Sequence, residues 1–102
     1  MALFQDQLGT SATTVFDPAA ESAVTTLFLC NTHSSAITVT LYLINGGSAP
    51  DDTNAIWKDI SIASKDTFAM NNERIILAAA DFIKGLASVA DKVTVTGTYT
   101  TI

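Results

Sequence analysis

Basic residues are scarce in this 102-residue chain, and none precedes Lys58. Residues 1–57 hold Asp6, Asp17, Glu21, Asp51 and Asp52 with nothing to offset them, and the formal net charge of the whole is −5. A nucleic-acid partner needs cations to neutralise phosphates, and an anionic membrane surface needs the same, so neither is an expected partner. The one cysteine, Cys30, has no second thiol to pair with, which excludes an internal disulfide framework and suits assembly in a reducing cytoplasm. The one histidine, His33, excludes a metal site built on several imidazoles. No apolar run approaches the roughly 20 residues a membrane-spanning helix needs. The first residues, Met1-Ala2-Leu3-Phe4-Gln5-Asp6, have neither the basic start nor the long apolar stretch of a signal peptide, so export by a cleaved signal is not expected.

What the chain has is alternation. Ile37-Thr38-Val39-Thr40-Leu41-Tyr42-Leu43 and Val93-Thr94-Val95-Thr96-Gly97-Thr98-Tyr99-Thr100 place apolar residues and threonine in turn. A period of two sends alternate side chains to opposite faces of a strand, and Val, Ile, Thr and Tyr suit a pleated surface. The spacing predicts further strands at Thr13–Phe16, Ala23–Asn31, Ala55–Ile62 and Thr67–Met70. In Ala55–Ile62, strict alternation sets Trp57, Asp59 and Ser61 against Ile56, Lys58, Ile60 and Ile62. Ala23–Asn31 and Ile37–Asn45, joined through a polar turn, are expected to pair as an antiparallel hairpin. Residues 72–90 read two ways. Ile75, Ala79, Phe82, Ile83 and Leu86 fall on one helical face, with Asn72 as a cap, yet Gly85 and Asp81 favour two short strands, Arg74–Leu77 and Phe82–Ser88.

Many short strands at this spacing predict an all-β fold, an antiparallel β-sandwich that is immunoglobulin-like or jelly-roll-like, with a short helix in 72–90 as the variant. A single domain is expected: residues 1–22 as an N-terminal arm with a first short strand, and 23–102 as the sandwich. The arm, anchored by Leu3, Phe4, Leu8, Val15 and Phe16, either packs on its own domain or reaches over a neighbouring subunit. The final threonine-rich strand is either paired on both sides or an edge open to another chain.

The residues spell no reaction. There is no Gly-x-Ser-x-Gly elbow and no phosphate loop at Gly46-Gly47-Ser48, and no acidic pair is poised for acid–base work. Cys30 and His33 lie close in sequence, but a thiol on an inward strand reads as buried and inert. Asp51, Asp52 and Asn54 gather oxygen ligands of the kind Ca²⁺ prefers, without the spacing of an EF-hand, and Asp and Asn are also ordinary turn residues. The candidate contacts for a partner or ligand are aromatic: Trp57, Tyr42, Tyr99, Phe4 and Phe16. No catalytic, cofactor-binding or metal residue is assigned.

The pattern of segments resembles that of small structural proteins of tailed-bacteriophage particles. The similarity runs through Leu8-Gly9-Thr10-Ser11-Ala12, Thr14-Val15-Phe16-Asp17-Pro18-Ala19-Ala20, the strand ending in Cys30-Asn31, Ile60-Ser61-Ile62-Ala63-Ser64-Lys65-Asp66-Thr67 and Ile76-Leu77-Ala78-Ala79-Ala80-Asp81. It implies a non-enzymatic β-sandwich module, made in the host cytoplasm and carried in the virion. Such a module works in many copies as capsid decoration or cement, or in the tail or neck. Its implied partners are other virion proteins and copies of itself. The alternative is a receptor- or carbohydrate-binding module of a phage fibre, using Trp57, Tyr42 or Tyr99 with polar groups near Asn54.

Overall fold

The alternation in the last strand sets the axis of the fold. In a computed structural model that describes residues 2–46, 48–70 and 75–102, nine strands form: β1 (Ala2–Gln7), β2 (Thr13–Phe16), β3 (Ser22–Asn31), β4 (Ile37–Ile44), β5 (Ala55–Ile62), β6 (Thr67–Met70), β7 (Ile75–Leu77), β8 (Phe82–Ala87) and β9 (Val93–Thr101). They make two antiparallel sheets packed as a β-sandwich. One runs β1-β9-β3-β6, with β7 beside the other half of β3, and the second runs β2-β8-β4-β5. The pairings are nested, β1 with β9, β2 with β8, β3 with β6 and β7, β4 with β5, as in one long hairpin. Rolling that ribbon adds the contacts β9 with β3 and β8 with β4. With β6 and β7 sharing one lane this is the two-Greek-key order of a jelly roll, which decides between the two expected sandwich types.

Val24, Leu27, Leu29, Val39, Leu41, Ile83, Val93 and Val95 are fully buried between the sheets. Each such side chain contributes roughly 1.5–3 kcal/mol relative to exposure. Two glycines let neighbours close in. A Cβ on Gly97 would lie 2.2 Å from the Phe4 ring, and one on Gly85 would lie 2.6 Å from Leu41 Cδ2. Gly85 therefore serves packing within a strand.

One expected pairing is corrected, and the readings left open are decided. β3 and β4 are not a hairpin: they lie in different sheets, because a period of two fixes which face a residue takes and leaves its partner strand open. Of the two readings of residues 72–90, the two short strands hold within the described residues, as β7 and β8, and the helical variant does not. Asp81 ends the turn between them, its carboxylate accepting from Ala78 N at 3.1 Å and Gly46 N at 3.2 Å. Asn72 and Arg74 lie outside the described residues. The segment expected as an arm supplies an edge strand to each sheet. Leu8 between them is fully buried, its N–H donating to Val93 O and its carbonyl accepting from Asp91 N. β9 is paired on both sides, by β1 and β3.

Candidate functional site

The five aromatic candidates fall at three places. Phe4 on β1, Phe16 on β2 and Tyr99 on β9 meet where both sheets end on the same side. The Phe4 and Phe16 rings stack at 4.4 Å, and Tyr99 tilts against Phe16 at 4.7 Å. Phe16 is buried, while Phe4 and Tyr99 are half-buried and packed on the core. On the opposite side Trp57 of β5 meets Phe68 of β6 edge-to-face at 5.0 Å. Offset and edge-on contacts of this kind add about 0.5–1.5 kcal/mol beyond area burial. Tyr42 lies apart, on the outward side of β4 yet only 8% exposed.

Trp57 overturns strict alternation. Val39 pairs Ile60 and Leu41 pairs Trp57, so two steps on β4 face three on β5. The extra residue is a β-bulge, with Asp59 at a φ of 52°. Thr40 pins it, its hydroxyl oxygen accepting from Asp59 N at 3.0 Å and its hydroxyl donating to Asp59 Oδ1 at 3.3 Å. The bulge turns Trp57 to the same side as Ile60 and Ile62, so it packs against the core.

The oxygen-rich loop is occupied by its own hydrogen bonds. Asp51 Oδ1 accepts from Thr53 N at 2.8 Å and from the Thr53 hydroxyl. Those bonds, the hydroxyl's first, hold the Asp51 carboxyl below its ordinary value. Asn54 receives Asp51 N and donates to Ala49 O. Asp52 pairs with Lys58, a contact that raises the lysine's pKa. Among the described residues no group of three or more His, Cys, Asp or Glu side chains converges as metal ligands, and no pocket opens. Cys30 is not buried as expected. It is half-exposed on the outward side of β3, since Leu29 and Asn31 take the inward places.

Sequence reasoning missed Asn31, which reads as the start of a polar turn. It is fully buried, and its Nδ2 contacts the carbonyl oxygens of Ile62 at 2.9 Å, Ser35 at 3.0 Å and Ala63 at 3.2 Å. Its Oδ1 accepts from His33 N at 2.8 Å. One amide thus ties the end of β3 to the end of β5 in the other sheet.

The two outward faces differ. On the β1-β9-β3-β6/β7 sheet, β9 presents Thr94, Thr96, Thr98 and Thr100, every second residue. The registers set Leu3, Gln5 and Gln7 of β1 beside them, then Thr26, Phe28 and Cys30 of β3, with Thr67 and Ala69 of β6 and Ile76 of β7 beyond. No outward position of these strands carries a formal charge. Leu3 at 59% and Ile76 at 62% are among the most exposed large apolar residues described. On the other sheet Lys58 and Lys84 point outward, the Lys84 ammonium lying 5.4 Å from the Phe82 ring centroid. The threonine alternation in β9 was the signal for the neutral face, but only the register joins its rows.

No protein-family model, curated protein or solved structure matches this chain.

Proposed function

We propose that this chain is a non-enzymatic structural protein of a tailed-bacteriophage particle. It assembles in multiple copies on the capsid surface, as decoration or cement, or in the tail or neck. Its partners are other virion proteins and copies of itself, and its place is the virion after synthesis in the host cytoplasm. The observation that carries the reading is the neutral outward face of β1, β9, β3, β6 and β7. Leu3, Phe28 and Ile76 stand exposed there among uncharged threonine and glutamine rows, and depletion of charge with exposed apolar residues suits a surface that meets other proteins. The jelly-roll order is compatible, being used by viral capsid domains, but lectins and cupins share it, so it carries weight only as analogy. The pattern of segments quoted above is the further support. The test is mass spectrometry of purified particles made from the genome that encodes this chain. The expected result is this protein at a copy number well above one per particle, and its absence would overturn the reading.

A fibre module that binds a receptor or carbohydrate is the second reading. It is favoured by half-buried Trp57, whose neighbour Lys58 is tied to Asp52 of the polar loop. The buried Tyr42 and Phe16 and the mutually packed Phe4 and Tyr99 do not add to it. Unchanged host adsorption by particles carrying Trp57→Ala would count for the structural reading, and a loss of adsorption with intact particles would count for the fibre module.

A further inference from the structure

We propose that the neutral face of the β1-β9-β3-β6/β7 sheet is where two copies of this chain meet, face to face about a twofold axis. The inference rests on the multi-copy reading above and deepens it by naming the partner and the surface.

Charge selects the occupant. Each copy carries a formal charge of −5, so two copies repel wherever acidic loops approach. Asp51, Asp52 and Asp59 lie in β5 or the loop that leads into it, on the other sheet. Asp66 and Asp91 border this face, Asp66 preceding Thr67 and the Asp91 carbonyl accepting from Gln7 Nε2 at 3.4 Å, but neither stands in an outward row. The outward rows themselves carry no charge, so they can lie on their own image with the acidic groups kept to the rim. A twofold contact needs such self-complementarity, since each patch meets the same patch. Size agrees as well. The molecule measures 38 × 28 × 20 Å, and its thin dimension is what a two-layer sandwich spans, so the sheet faces are its broad sides. A broad side of that size accommodates the ~800 Å² per partner of a standard interface. Composition agrees too: Leu3, Phe28 and Ile76 provide apolar contacts, while threonine hydroxyls offer paired donors and acceptors. Thr96 lies mid-sheet, flanked in register by Gln5 and Phe28, and already accepts a hydrogen bond from Gln5 Nε2 at 3.1 Å.

The test is sedimentation equilibrium of the full chain from about 1 μM to about 1 mM, a range that covers weak and firm dimers. The native protein is expected to form dimers, and added salt should strengthen them by screening the repulsion of the remaining surface. Alkylation of half-exposed Cys30, which lies on this face, should slow as the dimer forms. Thr96→Lys places a cation from each copy at the centre of the contact and should raise the dissociation constant about 100-fold or more. If Thr96→Lys fails to fold, Leu3→Lys at an exposed position serves the same purpose. Thr38→Lys, on the outward side of the other sheet, should leave association unchanged. A monomer at every concentration, a dimer that survives both charged variants, or a dimer lost equally in Thr38→Lys would overturn the proposal. A monomeric protein found in abundance on particles would sink this inference alone, because the particle measurement tests the parent reading separately.

Discussion

The β1–β2 side of the sandwich closes on rings, whereas the β5–β6 side closes on one aromatic pair reinforced by hydrogen bonds. On the first side Phe4 lies over Gly97 and stacks on Phe16, and Tyr99 fills the corner. On the second, Trp57 meets Phe68 at the rim, Thr40 pins the bulge in β5, and Asn31 stitches β3 to the end of β5. The difference teaches how one fold holds two kinds of edge. The β1 register runs without interruption from Ala2 to Gln7; β2 has a register shift between Thr14 and Phe16, but Val15 and Phe16 both stay buried there, so non-directional contact absorbs it. β5 carries two extra residues against β4, one between Ile60 and Trp57 and one between Trp57 and Ala55, which break the row and leave backbone groups that need directed partners. Ring packing tolerates small shifts, and a buried amide with four partners does not.

Removing a whole side is the severest way to break this comparison. Deleting residues 1–16 takes away β1, β2 and the buried Leu8, strips one long partner from β9 and one from β8, and uncovers the core beneath Phe4 and Phe16. The truncated chain is expected not to fold, with loss of the far-ultraviolet strand signal and of a cooperative thermal transition. A truncated chain that melts cooperatively would restore the segment to the status of an arm and would remove the ring-closed side from the argument.

The next effect attacks the other side at one atom. Asn31→Asp replaces a donor by a carboxylate facing the carbonyl oxygens of Ile62, Ala63 and Ser35. A buried charge without compensation costs about 3–5 kcal/mol, a large part of the 5–15 kcal/mol that holds a small domain together. The urea midpoint should fall accordingly. The new carboxyl binds a proton more readily folded than unfolded, so the penalty should shrink as the pH falls towards about 4. A variant with an unchanged midpoint at neutral pH would mean that the β5–β6 side does not depend on the Asn31 amide and is held by Trp57, Phe68 and the Thr40 pin.

The two sides were not equally legible. Strands such as Thr13–Phe16, Ala55–Ile62 and Thr67–Met70 could be read with their bounds because branched and aromatic residues alternate between turn residues. β1 could not, because Asp6 takes an inward place by register yet sits at an exposed end, and an edge strand needs only one anchored ring, Phe4. The bulge at Asp59 was hidden because no glycine marks it, and without it Trp57 is assigned to the wrong face. Asn31 was hidden because its neighbours Thr32, His33 and Ser34 are ordinary turn residues, and only the fold brings Ile62 within reach. The partner strands of β3 and β4 were beyond any local pattern, since alternation is the same whichever strand lies alongside. The aromatic candidates were visible as residue types, but register assigns Phe4, Phe16 and Tyr99 to one cluster, Trp57 to another and Tyr42 to neither.

The smallest expected effect sharpens the comparison at the loop that leads into β5. The Asp51 carboxylate accepts from the Thr53 hydroxyl and amide, and these bonds favour its charged form, so its folded pKa lies below the ordinary value of 3.8. A lowered folded pKa stabilises the protein above the unfolded value and loses that stabilisation as the pH falls through the folded one. Asp51→Ala should therefore melt slightly below the native protein at pH 5 and above, and the gap should close on acidification below about pH 3. Both gaps close in acid but from pKa shifts of opposite sign: at Asp51 the native protein loses the benefit of a lowered pKa, whereas the Asn31→Asp carboxyl, with a raised pKa, sheds its buried charge by gaining a proton. The wholly exposed Asp51 should show a gap sensitive to salt, and the buried Asn31→Asp site one that salt hardly moves. A loop gap that persists unchanged at pH 2 would mean that Asp51 acts through turn geometry and not through its charge, and the β5–β6 side would then owe its directed character to buried bonds only.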